Sequence, residues 1–155
     1  MTQPHTQPNP LPDAPVSVRL KLAALWTAVM LLYVYVDIIG FYEPGTVEGI
    51  LAGRVWTFDV TQGWALAALA LMTVPILMIV LSLTLPVRAA RWTHVGVAAL
   101  YLPVSIGNAI GETWLYYWLG AAVEAALLLL VVRYAWAWSG LPARGVDVIA
   151  RPSLR

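Results

Sequence analysis

The chain has 155 residues, of which 61% are hydrophobic and only 11% charged, with a mean hydropathy of +0.77. A soluble domain carries about a quarter charged residues, so this composition belongs to a bilayer protein. A net charge of +1 gives no electrostatic footprint for nucleic acid, and the lack of any cysteine excludes disulfides, iron–sulfur ligation and thiol redox chemistry.

Residues 1–17 open the chain with Pro4, Pro8, Pro10, Pro12 and Pro15 among Gln3, Gln7 and Asn9. Proline removes backbone donors and little here can be buried, so this stretch is expected to be a disordered tail. It has no early basic region and no small-residue cleavage pattern, so it does not read as a signal peptide.

A transmembrane bundle is expected over residues 18–138. Span one covers about 22–41, with Ser17 available as a cap and Pro44-Gly45 as a stop. Span two covers about 62–83, entered through Thr61 and ended by Pro86. Spans three and four cover about 92–110 and 114–136. Each is about twenty residues, the length that crosses a hydrocarbon core of roughly 30 Å. The short connections after spans two and three force antiparallel neighbours. The fold expected is therefore an all-α, four-helix, antiparallel membrane bundle. In the longer loop 42–60, Val47, Ile50 and Leu51 recur at helical spacing and predict a short interfacial helix. Residues 139–155 follow as a cytoplasmic tail.

Basic residues set the orientation. Arg19, Lys21, Arg88, Arg91, Arg133, Arg144, Arg151 and Arg155 fall on one side, and of the nine Lys and Arg only Arg54 falls on the other. The positive-inside rule then places both termini in the cytoplasm, in the inner membrane of a prokaryote. Trp92, Tyr134, Trp136 and Trp138 fall at inner ends, and Phe41, Tyr42, Trp64, Trp114 and Trp118 at outer ends, as amphipathic rings do.

Two acids lie inside the spans. Glu124 sits roughly 15 Å along span four from Trp114, at the midplane. A carboxyl group at that depth is costly unless it is neutral, paired or hydrated, and proton transfer or cation binding are its natural uses. Asp37 lies near the outer end of span one, with Tyr33 one turn before it and within reach of its carboxyl group. Tyr117 shares the face of Glu124. Span three adds Tyr101, Ser105 and Asn108, and span two adds Thr73. These polar groups lie in the middle and outer halves of the spans, which predicts a polar cavity open to the outside. The ligand or proton set read from the sequence is Glu124, Asp37, Tyr33, Tyr117, Asn108, Tyr101 and Thr73. The bland reading stands beside it, since polar side chains also serve as interhelical glue worth ~1 kcal/mol.

Pro75 and Pro103 fall mid-span and free the carbonyls of Leu71 and Ala99. Gly107 and Gly111 form a Gly-x-x-x-Gly pair suited to close packing within the chain or to a homo-oligomer. His5 and His94 are the only histidines, so no pair can hold a haem in the membrane. There is no metal-ligand spacing, no phosphate loop and no nucleophile–base arrangement. No catalytic residue, cofactor or metal is assigned, and the partner expected is the lipid bilayer, with an unspecified small-molecule ligand.

Several stretches carry a resemblance. They are Leu25–Asp37 with its Tyr33-x-Tyr35-x-Asp37 ending, Tyr42–Gly45 followed by Val47-Glu48-Gly49, and Arg88–Trp92. The last is Leu115-Tyr116-Tyr117 with Val123-Glu124 and Tyr134-Ala135-Trp136. In this order they resemble a family of small four-span prokaryotic membrane proteins of unknown function and, more distantly, the DoxX-like membrane proteins. That family often has an acid two residues before the span-two proline. This chain has Thr73 there, so if that acid pairs with the span-four Glu in the family, this chain has lost the partner. The resemblance implies the fold and supplies no reaction. Three functions stay open: handling protons or a small molecule in the cavity, a structural or accessory subunit, and a DoxX-like quinone-linked redox subunit. A small multidrug exporter fits poorly, because its membrane Glu lies in span one.

Overall fold

The structure is a computed structural model and describes residues 15–138. The tail expected over 139–155, and that over 1–17 apart from residues 15–17, lie outside the described residues. Helix α1 spans Val18–Gly40, α2 Thr46–Leu51, α3 Gln62–Thr84, α4 Val87–Ala109 and α5 Leu115–Ala137. The four long helices have 23 residues each, about 34 Å at 1.5 Å per residue.

Local sequence explains their ends. Ser17 Oγ accepts from the Leu20 amide at 3.3 Å and opens α1, and Thr61 Oγ1 accepts from the Trp64 amide at 3.1 Å and opens α3. Pro86 separates α3 from α4, since its ring cannot continue the first helix yet suits the position before the next. Between α4 and α5 the chain reverses through Gly111, whose φ of +94° is a left-handed conformation that glycine adopts without strain.

The first loop holds the expected short helix as α2. It also holds a feature absent from the sequence reading, a two-stranded antiparallel ribbon pairing Arg54 with Asp59 and Val55 with Phe58. The ribbon turns at Trp56, which takes a φ of +54°. Two-residue strands carry too little alternation to be seen as a pattern.

α1 packs against both α3 and α5, α5 packs against α4, and a thinner contact between α3 and α4 closes the ring. Each long helix gives one stripe to the interior at three- and four-residue spacing. On α4 it is Ala90, His94, Ala98, Tyr101, Ser105 and Ala109, and on α5 it is Gly120, Glu124, Leu128, Val131 and Ala135. The apolar core of Leu22, Trp26, Val29, Met78, Ala98, Leu128 and Val131 lies toward the Ser17 end. Large apolar side chains such as Leu31, Leu66, Leu77, Leu119 and Leu129 point outward. An apolar exterior around a partly polar interior suits lipid as solvent.

Three helices, α1, α3 and α5, are long and apolar enough to cross a membrane. The chain is a membrane protein with several apolar helices. The fourth long helix, α4, is not among these three. α4 has the length, but His94, Tyr101, Ser105 and Asn108 lower its mean hydropathy.

The Ser17 end of the bundle is bound by cation contacts. Arg19 Nη1 donates to the carbonyls of Leu83 at 2.9 Å and Leu85 at 2.8 Å, capping the end of α3 where carbonyls lack helical partners. The Arg19 guanidinium also lies 5.1 Å from the Trp138 ring centroid. Lys21 lies 5.3 Å from that of Tyr134, and Arg91 4.4 Å from that of Trp136. At the other end Tyr116 donates to Glu43 Oε1 at 2.6 Å and ties α5 to the loop after α1.

Candidate functional site: a polar cavity between the helices

The four long helices enclose a cavity of about 90 Å³, lined from α1 by Tyr33, Val36 and Asp37, from α3 by Leu71, from α4 by Tyr101, Ser105 and Asn108, and from α5 by Tyr117, Gly120 and Glu124. Its depth is graded. Glu124 is 6% exposed, Ser105 5% and Tyr101 1%, whereas Asp37 and Asn108 are exposed and Tyr117 half-buried. The exposed groups lie near the last turns of α1 and α4, so the cavity has a rim there and a floor at Glu124. Beneath the floor lies the apolar core around Trp26, Met78, Leu128 and Val131.

Six of the seven residues chosen from the sequence line this cavity: Glu124, Asp37, Tyr33, Tyr117, Asn108 and Tyr101. Thr73 is not brought to it. Its hydroxyl donates to the Leu69 carbonyl one turn back at 2.8 Å, a bond a threonine in a helix makes readily with its own backbone.

Two bonds shape the floor. The Tyr33 hydroxyl donates to Glu124 Oε1, joining α1 to α5. The expected Tyr33–Asp37 pairing is corrected by this contact, because a phenol has one hydrogen and Tyr33 spends it on Glu124. The Tyr101 hydroxyl donates to the carbonyl of Leu71. That carbonyl is the one Pro75 frees, since Pro75 has no amide to offer it. A neighbouring helix thus supplies the missing donor, as polar groups at membrane depth require.

Three residues matter more than their sequence signal suggested. Ser105 Oγ is buried, lines the cavity and faces the Glu124 carboxyl group, yet makes no hydrogen bond of ordinary length among the described residues. It stands one turn beyond Tyr101 on the same face, a spacing that marks it in retrospect. Gly120 lies one turn before Glu124. A Cβ built there would stand 2.8 Å from Val36 Cγ2, so this glycine lets α1 and α5 approach closely enough for Tyr33 to reach Glu124. The pair Gly107 and Gly111, by contrast, has nothing within 4 Å of where a Cβ would stand. The close packing expected of that pair inside the chain falls instead to Gly120. The third is His94, fully buried, whose Nδ1 accepts from Trp26 Nε1 at 2.9 Å. An indole N–H only donates, so the imidazole hydrogen lies on Nε2, which is buried without a partner among the described residues.

Tyr101→Phe keeps the ring and leaves the Leu71 carbonyl orphaned. A loss of about 1–3 kcal/mol is expected in unfolding of the detergent-solubilised protein, the cost of a buried polar group without its partner. Tyr35→Phe is the control, because Tyr35 is 62% exposed, and it is expected to leave stability unchanged.

These helices and this cavity define the class, a small helical membrane protein with a buried carboxyl group between its helices. The chain belongs to the Family of unknown function (DUF6326), whose model matches residues 17–141. Comparison with curated proteins finds no match, and comparison with solved structures finds none.

Proposed function

We propose that the protein is a four-span inner-membrane protein with both termini cytoplasmic, and that it handles protons or a small molecule in a polar cavity open to the outside. Glu124 at the floor is the working group, with Tyr33, Tyr101 and Tyr117 on the wall and Asp37 and Asn108 at the rim. The observation that carries this reading is the graded burial, from exposed Asp37 and Asn108 down to buried Glu124. A purely structural acid would need no such approach. α4 serves as the fourth span because its polar side chains His94, Tyr101 and Ser105 are buried, leaving Leu100 and Ile106 among those facing lipid. Contacts gather the start of α1, the end of α3 and the end of α5 at the Ser17 end, which supports antiparallel spans. The basic collar there favours the cytoplasm.

The chain has no cysteine, so single-cysteine variants test this without background. A membrane-impermeant thiol reagent added outside intact cells is expected to modify Thr57→Cys in the first loop and Asn108→Cys at the rim. It is expected to spare Ala98→Cys below the floor and Ala89→Cys at the opposite end. Modification of Ala89→Cys with Thr57→Cys spared would overturn the orientation. An unreactive Asn108→Cys beside a reactive Thr57→Cys would overturn the outward opening.

A further inference from the structure

The cavity holds carboxyl groups but, among the described residues, no cation, and its remaining donors are neutral: the Asn108 amide and the Tyr117 and Ser105 hydroxyls. The single hydroxyl hydrogens of Tyr33 and Tyr101 are spent on Glu124 and on the Leu71 carbonyl, so both oxygens present lone pairs only. Glu124 receives this bond through Oε1, so Tyr33 does not engage Oε2. Asp37 adds a second carboxyl group at the rim, and among the described residues no Lys, Arg or His lines the space. Ser105 Oγ is an independent sign of a ligand: it is 5% exposed, lines the cavity and makes no hydrogen bond of ordinary length among the described residues. Buried hydroxyls are almost always paired, whereas this one faces the Glu124 carboxyl group at the floor without a hydrogen bond of ordinary length.

Such a lining selects a ligand that donates hydrogen bonds and carries positive charge. We propose that the cavity binds a small protonated primary amine through Glu124, Ser105 and Asp37. This rests on the outward-open cavity proposed above. An ammonium group has three N–H donors and no acceptor. Three of its natural partners are the carboxyl oxygen Oε2 of Glu124, Ser105 Oγ and a phenol oxygen. The rings of Tyr33, Tyr101 and Tyr117 add faces that attract a cation. A bare metal ion is served worse, because it requires several anionic or carbonyl oxygens, and the described residues contain no group of three metal-ligating acids, histidines or cysteines. A volume of about 90 Å³ suits an ammonium group with a short alkyl chain. An anion would meet two carboxyl groups and only neutral donors, with no cation among the described residues to offset them.

The test uses full-length protein in nanodiscs, with a single cysteine at Ala121→Cys in the cavity wall and another, in a separate variant, at Thr57→Cys on the outer loop. Aminoethyl methanethiosulfonate, itself a primary ammonium, is compared with the anionic sulfonatoethyl reagent, each rate being normalised to that at Thr57→Cys. The cationic reagent is expected to react with Ala121→Cys at least tenfold faster. Methylammonium chloride is expected to slow that reaction saturably, while equal sodium or potassium chloride leaves it unchanged. Adding Glu124→Gln should bring the two reagents together and remove the protection. Asp37→Asn, at the exposed rim, should reduce the preference without touching the floor, and it keeps the test open if Glu124→Gln fails to fold. Equal normalised rates for the two reagents, or protection by sodium as strong as by methylammonium, would overturn the amine proposal while leaving the open cavity standing. No reaction of either reagent at Ala121→Cys would overturn both.

Discussion

Gly120→Ala is expected to destabilise the protein, although alanine is the better helix former by about 1 kcal/mol. The opposite sign arises because the added Cβ would stand 2.8 Å from Val36 Cγ2, closer than two carbons can pack. Val36 is β-branched and held in few rotamers, so it cannot swing aside at small cost. α1 and α5 must then part, and the Tyr33–Glu124 bond is lost with them. Overpacking of this kind costs about 1–3 kcal/mol, and Gly120→Leu is expected to exceed that and leave little folded protein. Thermal unfolding in detergent reads both. The decisive variant is Gly120→Ala with Val36→Ala, which removes the clash and is expected to recover most of the loss. If Gly120→Ala alone stabilises the protein, the close approach of α1 and α5 is not what holds Tyr33 against Glu124.

Trp26→Ala is expected to be the most damaging truncation in the core. Trp26 is fully buried, lies within 25° of the His94 ring plane with ring centroids 6.3 Å apart, and donates to its Nδ1 at 2.9 Å. Removing a buried tryptophan costs about 3–5 kcal/mol through the void it leaves. Trp26→Phe separates the two contributions, because it keeps most of the bulk and deletes the donor. His94 then has both ring nitrogens buried without partners, and a loss of about 1–3 kcal/mol is expected. Adding His94→Leu to Trp26→Phe removes the orphaned acceptor and should restore part of that loss, since replacing both partners by apolar groups is far cheaper than removing one. Additive losses in the double variant would show that the indole–imidazole bond contributes nothing, and that Trp26 acts by volume alone.

The cavity gives these variants a functional meaning. The Trp26–His94 pair belongs to the plug beneath the floor, and Gly120 belongs to the wall that brings Tyr33 to Glu124. Loss of the first is expected to open the cavity toward the basic end. Loss of the second is expected to detach the floor while leaving the rim intact.

Much of this architecture was legible in the residues. Four long helices follow from apolar runs of membrane length, and their limits follow from Ser17, Thr61 and Pro86. The short helix Thr46–Leu51 follows from three apolar residues at helical spacing. Glu124, Asp37, Tyr33, Tyr117, Asn108 and Tyr101 could be chosen because a polar group in an apolar run is visible by contrast alone. Pro75 likewise announces a freed carbonyl at Leu71, for backbone chemistry that is local to one helix.

What only the tertiary structure decided is which groups meet. Tyr33 is one turn from Asp37 along its own helix, yet its hydrogen goes to Glu124 on α5, because the rotation of one helix against another is set by packing and not by spacing. Tyr101 was a polar residue on α4 until α3 brought it the Leu71 carbonyl. Thr73 has the same chemistry as Ser105, but its hydroxyl bonds back to Leu69 while that of Ser105 lines the cavity. Gly120 stands in an apolar run with no motif to mark it, whereas Gly107 with Gly111 reads as a packing motif. The structure reverses their importance, because a glycine matters only where another helix comes close enough to forbid a Cβ. Periodicity and composition act within one helix and are written in the sequence, whereas the partner across a helix interface is fixed only when the whole bundle packs.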